Sequence, residues 1–248
     1  MSRLALIQDI FKKTDFKSYL EIGCFKGKTF FVVDAENKVA VDPGFHYKFY
    51  INKVKWAFKK PANLKNQYFK EESDTFFLKR KDVLEKLGTL DVVFVDGLHT
   101  YGASLKDVLN SLKYLNNKGI IVMHDCYPPH EAAALPTKFF PTAEEIANVP
   151  GWTGDWCGDV WKSIIYLQRA HGDFLDICVI DTETGLGIVK PKSDIKVEEL
   201  KLDEKLYAEI DKLTYQDLMK DPKTLLNMKD SEYIKTIVEE VVNRAKSN

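Results

Sequence analysis

Apolar positions recur along the chain in two alternating periods. Leu4, Ile7, Ile10 and Phe11 fall at helical spacing, so an amphipathic helix opens the sequence. Ser18 to Ile22 reads as a strand that ends at Gly23. A short helix is expected from about Gly27. Lys38 to Val41 is a second strand, stopped by the turn signal Asp42-Pro43-Gly44. Gln67 to Lys70 is a weaker third strand. Ser73 is placed to cap a helix running to Leu87, with Gly88 closing it. Leu90 to Val95 is an apolar run broken only by Asp91, the pattern of a strand covered on both faces. Leu105, Val108, Leu109, Leu112 and Leu115 make a helix face. Gly119 sits just past it, and Ile120 to Met123 is the next buried strand.

Strands alternating with helices at this rhythm predict an α/β protein with a mostly parallel, Rossmann-like sheet. Five β-α units fit into the first 125 residues. Residues 126–158 then change character, holding five of the nine prolines together with Gly151, Gly154 and Gly158. A long irregular segment in a compact domain is usually functional or disordered. Trp152, Trp156 and the nearby Trp161 argue against plain disorder, so the segment reads as a lid or substrate loop. Asp159 to Arg169 is helical. Leu175 to Ile180 and Gly185 to Val189 are strands joined by a turn at 181–185, so the sheet is expected to end in an antiparallel hairpin, with seven strands in all. From Val197 the chain is charged and helical. Leu206, Ile210, Leu213, Ile234, Ile237, Val238 and Val241 mark faces that pack either on the domain or on a second subunit in a homodimer. The expected organisation is a domain over 1–190, with 126–158 as its lid, and a helical extension over 191–248.

Composition narrows the classes. At 248 residues and 45% hydrophobic, the chain can bury one sizeable core with an appendage. Lys plus Arg number 36 and Asp plus Glu 37, a net charge of −1, which gives no overall footprint for nucleic acid or an anionic membrane. Lysine is nonetheless abundant between Lys48 and Lys86, where the ordinary reading is a solvated surface. No apolar run approaches the roughly 20 residues of a membrane span. The N-terminal residues lack the apolar centre and cleavage site of a signal peptide. Cys24, Cys126, Cys157 and Cys178 form no C-x-x-C pair, and a reduced, cytoplasmic protein is expected.

Candidate chemistry clusters at the ends of the strands. Glu21-Ile22-Gly23-Cys24-Phe25-Lys26-Gly27 closes the first strand with glycines that permit close backbone approach of a nucleoside. A tight β-α turn would look the same. Asp42 ends the second strand 19 residues after Gly23, where a carboxylate can accept from both ribose hydroxyls. An Asp before Pro-Gly is otherwise an ordinary turn residue. Asp96-Gly97-Leu98-His99-Thr100-Tyr101 and His124-Asp125-Cys126 end the next two buried strands. Two acids and two imidazoles at neighbouring strand ends can bind a divalent metal or position a base. Singly, each would be a helix cap or a satisfied ring.

Glu-Ile-Gly with Phe-Lys-Gly-Lys-Thr, Val-Asp-Pro, Val-Asp-Gly-Leu-His-Thr-Tyr and the His-Asp strand end together resemble the class I S-adenosylmethionine-dependent methyltransferases over residues 17 to 190. More narrowly, they resemble the sugar O-methyltransferases of macrolide and aminocoumarin biosynthesis and related bacterial glycan-modifying enzymes. Gly158 to Lys162 also looks like the bacterial members. The resemblance implies that Glu21, Gly23, Cys24, Phe25 and Gly27 shape the methionine pocket and Asp42 holds the ribose. It implies that Ser73 and Asp74 flank the adenine and that Asp96 contributes to the cofactor site and the chemistry. His99 matches a proposed general base. Asp96, Asp125 and His124 would ligate Mg²⁺ or Mn²⁺ where a metal is used, acting on a small-molecule or glycan hydroxyl. Two departures stand out. Phe25 replaces the middle glycine of the usual glycine-rich turn, and His124 stands where metal-dependent members carry a second acid. Either the metal is absent, or a softer ion such as Mn²⁺ is held, or His124 contacts something else. Two rival readings remain. An NAD(P)-dependent oxidoreductase predicts G-x-G-x-x-G, which the chain lacks. A non-catalytic nucleotide-binding module predicts damaged strand ends, yet Asp96, His99 and Asp125 are present.

Overall fold

The computed structural model describes residues 2–139, 141–192, 195 and 200–247. The first helix, α1 (Arg3–Lys13), is capped by the Ser2 hydroxyl and buries the apolar face Leu6, Ile7, Ile10 and Phe11. Then come β1 (Ser18–Ile22), β2 (Asn37–Val41), α2 (Tyr47–Lys59), a 3₁₀ turn (Pro61–Lys65), β3 (Gln67–Phe69), α3 (Ser73–Lys79) and α4 (Lys81–Leu87). The central elements are β4 (Leu90–Val95), α5 (Tyr101–Leu112) and β5 (Leu115–Met123), followed by the short α6 (Ala143–Ala147) and α7 (Trp161–His171). β6 (Leu175–Ile180), β7 (Leu186–Pro191), α8 (Glu204–Asp211), α9 (Tyr215–Lys220), α10 (Pro222–Leu225), β8 (Met228–Lys229) and α11 (Tyr233–Lys246) complete the chain.

The strand order is β3-β2-β1-β4-β5-β7-β6-β8. β1 to β5 run parallel, β7 is antiparallel to both β5 and β6, and β8 lies parallel to β6. This is a Rossmann-like α/β fold, with a mostly parallel sheet closed by the expected antiparallel hairpin. The sheet has eight strands rather than seven. Met228 and Lys229 add a two-residue edge strand too short to carry a period-2 signal. Successive connections run to opposite sides of β1, so the gap between the carboxyl ends of β1 and β4 is the topological switch point where open α/β sheets bind ligands.

Two apolar layers sandwich the sheet. One gathers Leu105, Val108, Leu112, Trp161, Ile164 and Ile165 against the sheet, and the C-terminal helices add Ile210 and Leu218 to it. The other gathers Leu6, Ile7 and Ile10 with Phe30 and Phe31, and α11 adds Ile234, Ile237, Val238 and Val241. The apolar faces read from the sequence are thus packed within the chain. The expected start of the helical region at Val197 lies outside the described residues.

Local differences from the sequence pattern have physical causes. No regular helix forms after Gly27. The run Thr29-Phe30-Phe31-Val32-Val33 is β-branched and aromatic, which disfavours helix. Its carbonyls at Phe30 and Val33 are also taken by the buried Lys38 ammonium at 2.8 and 2.9 Å. The helix expected over 73–87 breaks at Arg80, which leaves the helical region (φ −109°, ψ 36°) between α3 and α4. Among the described residues no helix is long and apolar enough to cross a membrane. The four cysteines are buried free thiols.

Candidate active site

A cavity of about 960 Å³ opens at the switch point. Gly23 and Phe25 follow β1, Asp42 ends β2, Asp96 follows β4, and His124 and Asp125 follow β5. All line the cavity, with Ser73, Asp74 and His99. The sequence-predicted residues that do not reach its wall are Glu21, Cys24 and Gly27. Glu21 is buried and accepts from the Tyr19 hydroxyl at 2.6 Å. Burial pushes its carboxyl up to about 8, despite that hydrogen bond. Cys24 is buried, its thiol 3.5 Å from the Glu21 carbonyl oxygen, and Gly27 packs against the rings of Phe31 and Phe49.

The β1 turn is built by close backbone approach. Gly23 sits at φ +83°, and a Cβ there would lie 1.9 Å from the Asp96 carbonyl oxygen. Asp42 fixes the turn on the other side, accepting from the Phe25 N–H and the Gly44 N–H, each at 2.7 Å. Its carboxylate therefore stands rigidly at the wall with lone pairs left over. Phe25 and Asp125 are both non-glycine residues at positive φ, 43° and 60°. Such strain persists only where the surroundings hold it, and it concentrates at functional sites.

The floor is a cluster of charges. His99 Nε2 lies 3.3 Å from Asp125 Oδ2 and 3.6 Å from Asp96 Oδ1. Its Nδ1 is 2.6 Å from the Trp156 carbonyl oxygen, which can only accept, so Nδ1 carries the proton and Nε2 is the nitrogen that titrates. The ring stacks on Trp156 at 5.1 Å. Burial by itself lowers the His99 pKa, but the bond to Asp96 and the charge of Asp125 outweigh it, so the pKa is raised. His124 Nδ1 lies 3.0 Å from Asp125 and 3.4 Å from Asp96, and its Nε2 is 3.1 Å from Glu183. Burial opposes its protonation, yet these carboxylates prevail and raise its pKa well above the usual imidazole range. Asp96 moves the other way. Burial would raise it, but hydrogen bonds from His124 and His99 hold it well below the usual carboxylate range. The Thr184 hydroxyl donates to Asp125 at 2.5 Å.

Three members of this cluster carry no site signal in the sequence: Arg3, Glu183 and Thr184. Arg3 pairs with Glu183 at 2.6 Å and lies 2.8 Å from His124 Nε2. Glu183 and Thr184 had been legible only as a hairpin turn. A fourth omission is Asp107, buried on α5 at the cavity wall, with Oδ1 lacking a hydrogen-bond partner. Burial pushes its carboxyl up to about 7. It falls on the polar side of a helix pattern and looks like surface in the sequence.

The loop over 126–158 is anchored at its end. Trp156 Nε1 donates to the Leu135 carbonyl at 2.9 Å, and Cys157 and Gly158 N–H groups donate to Ala133. Trp156 thus both anchors the loop and meets the site, while Trp152 stays off the cavity wall. Gly158 sits at φ +57°, where a Cβ would lie 1.8 Å from the His99 carbonyl oxygen. Asp159 accepts from the Tyr101 N–H at 2.6 Å, tying the loop to the start of α5. Lys162 is buried, paired with Asp159 at 3.3 Å and bonded to the Asp211 carbonyl.

A cation could be held by Asp96, His124 and Asp125, which offer donor atoms within 4.8 Å of one another. A Glu183 carboxylate behind His124 is the outer partner that ligating imidazoles usually have. One nitrogen in the set suits Mn²⁺ better than Mg²⁺.

The comparisons with known proteins converge on one class. Residues 20–126 match a family model described as a methyltransferase domain, which spans every turn from β1 to the end of β5. No curated protein matches the sequence. Among solved structures, the S-adenosylhomocysteine-bound methyltransferase PaMTH1 of Podospora anserina is similar at 20% identity, with 78% of this chain and 80% of that one covered and a TM-score of 0.51. A candidate caffeoyl-CoA O-methyltransferase of Staphylococcus aureus is similar at 13% identity, with 77% and 84% covered and a TM-score of 0.52. Residues 20–126 thus carry a methyltransferase domain, and the fold around them is the one seen in these solved structures.

Proposed function

We propose that the protein transfers the methyl group of S-adenosylmethionine to a hydroxyl of a small-molecule acceptor, a sugar or glycan hydroxyl in the finer reading, with His99 as general base. The observation that carries this is the setting of His99. Its Nδ1 is tied to the Trp156 carbonyl, and Nε2 faces Asp96 and Asp125 on the cavity floor. The O-methyltransferase structure among the solved neighbours and the sequence resemblance to sugar O-methyltransferases favour oxygen as the acceptor atom.

The residues fit the cofactor. Asp42 stands where the ribose hydroxyls would donate. Ser73, Asp74 and the unpartnered Asp107 oxygen would face the adenine side of the cavity. Bound there, the cofactor supplies an electrophilic methyl on a cationic sulfur. Asp96, Asp125 and Glu183 carry three negative charges against Arg3 and a protonated His124. With His99 neutral, one negative charge is left over, which suits a neighbouring sulfonium. Holding acceptor and methyl donor in line contributes up to about 7–11 kcal/mol in well-oriented systems. His99 then takes the hydroxyl proton at Nε2, and Asp96 and Asp125 stabilise the imidazolium. Where a metal is used, Asp96, His124 and Asp125 would hold it, and it would lower the pKa of the acceptor hydroxyl.

Thermal unfolding with S-adenosylmethionine, S-adenosylhomocysteine, NAD⁺ and NADPH, each with and without Mn²⁺, tests this reading. A ligand at a hundred times its dissociation constant adds about 2.7 kcal/mol of stability. The melting temperature should rise with the two adenosyl-sulfur ligands alone. A rise only with nicotinamide nucleotides would overturn the proposal, and an extra Mn²⁺ increment would place a cation in the site.

A further inference from the structure

Helix α2 is built inside out for a surface helix. Its one buried side chain is Phe49. A period of 3.6 places Tyr47, Ile51, Val54 and Phe58 in one stripe about 60° wide, on the side opposite Phe49. These four side chains are 59–85% exposed. An amphipathic helix of a closed domain turns such a stripe inward. Here a Tyr-Ile-Val-Phe ridge points to solvent.

The charge around the ridge has one sign. Between Pro43 and Lys70 there are seven lysines and no Asp, Glu or Arg. Lys48, Lys55 and Lys59 lie along one flank of the ridge, all exposed. The net charge of −1 conceals this patch because acids elsewhere balance it. The ridge also starts at the rim of the catalytic cavity. His46 caps α2, its backbone N–H donates to the Phe25 carbonyl, and its ring lies 4.9 Å from that of Phe25, a cavity residue.

We infer that the exposed face of α2 docks the enzyme on an anionic lipid surface, with Tyr47, Ile51, Val54 and Phe58 entering the headgroup boundary and the flanking lysines facing lipid phosphates. An apolar ridge beside lysines, with an aromatic at each end, is the composition of helices that lie in the membrane interface. A lysine held at an anionic surface raises partitioning about fivefold. A second copy of the chain fits this face poorly. A two-fold contact would set its lysines against themselves with no acid to answer them. The inference does not depend on the proposed acceptor. It orients the cavity rim towards the bilayer.

The test is co-sedimentation of the full chain with vesicles of phosphatidylcholine, alone or with a third of phosphatidylglycerol. The wild type should partition onto the anionic vesicles at least about tenfold better, an advantage lost near 1 M salt, where the Debye length falls to about 3 Å. The double variant Ile51→Glu, Phe58→Glu should lose binding while keeping its melting temperature. Lys55→Glu with Lys59→Glu touches no core residue and should lose the anionic preference. Equal binding to both vesicle types, no binding at all, or wild-type binding by both variants would overturn the inference. So would sedimentation velocity showing a dimer that the Ile51, Phe58 variant splits, which assigns the ridge to a second copy.

Discussion

At the scale of single residues, the site works because three side chains have only one way to be arranged. The Trp156 carbonyl fixes the His99 tautomer, Thr184 fixes one oxygen of Asp125, and the two backbone N–H groups fix Asp42. His99→Ala should lower kcat by about 10²–10⁴-fold, the usual worth of a general base. The dissociation constant for S-adenosylhomocysteine, measured by calorimetry, should stay nearly unchanged. Unaltered turnover would remove His99 from the chemistry. The pH profile gives an independent reading. A base must be neutral to act, and the carboxylates raise the His99 pKa. The acidic limb of kcat/KM should therefore have its midpoint above 6.5, and it should vanish in the alanine variant. A midpoint below 6.5 would mean that another group limits the rate.

At the scale of elements, sequence and structure agree where periodicity is strong and part where tertiary bonds decide. β4 and β5 were legible because both faces are covered, so Val92–Val95 and Ile120–Met123 are apolar throughout. Asp96, His99, His124 and Asp125 were legible because strand ends are where such folds put chemistry. Arg3 was not, because its role depends on α1 crossing to the β6–β7 turn, 180 residues away in sequence. Asp107 was not, because a polar residue on α5 gives no sign that a cavity wall covers it. The junction between the 126–158 loop and α7 is the element on which most depends. Gly158 lets the chain pass against the His99 carbonyl, so Gly158→Ala would force the two apart. The left-handed conformation alone costs a side chain about 1–2 kcal/mol. Turnover should fall by at least tenfold while cofactor affinity changes little, because the proposed ribose and adenine contacts at Asp42, Ser73 and Asp74 follow β2 and β3 instead. Equal loss of both would show that the loop end shapes the cofactor site as well.

Across the whole molecule, buried carboxyls set the response to pH. Asp107 and Glu21 titrate near 7 and 8 in the folded protein, above the ordinary 3.8 and 4.5. The folded state therefore binds more protons than the unfolded chain between about pH 4 and 8, and stability falls as pH rises through that window. Urea unfolding of the cofactor-free protein should give a higher midpoint at pH 5 than at pH 8. Asp107→Asn and Glu21→Gln together should flatten the difference, with Gln keeping an acceptor for the Tyr19 hydroxyl. A steeper dependence in the double variant would assign the effect to other groups.

The packing of α1 beside α11 in one apolar layer also bears on biosynthesis. The ribosome delivers Leu6, Ile7 and Ile10 more than 220 residues before Ile234, Ile237 and Val241. At about 5–20 residues per second, the early helix waits on the order of 10–40 s for its neighbour. During that interval its apolar face is incompletely covered, and the Arg3 guanidinium has no hairpin turn to meet until Glu183 emerges. Nascent chains halted before α11 should therefore be the ones that chaperones and proteases engage, and the charged cluster should assemble only once the β6–β7 turn with Glu183 and Thr184 has emerged.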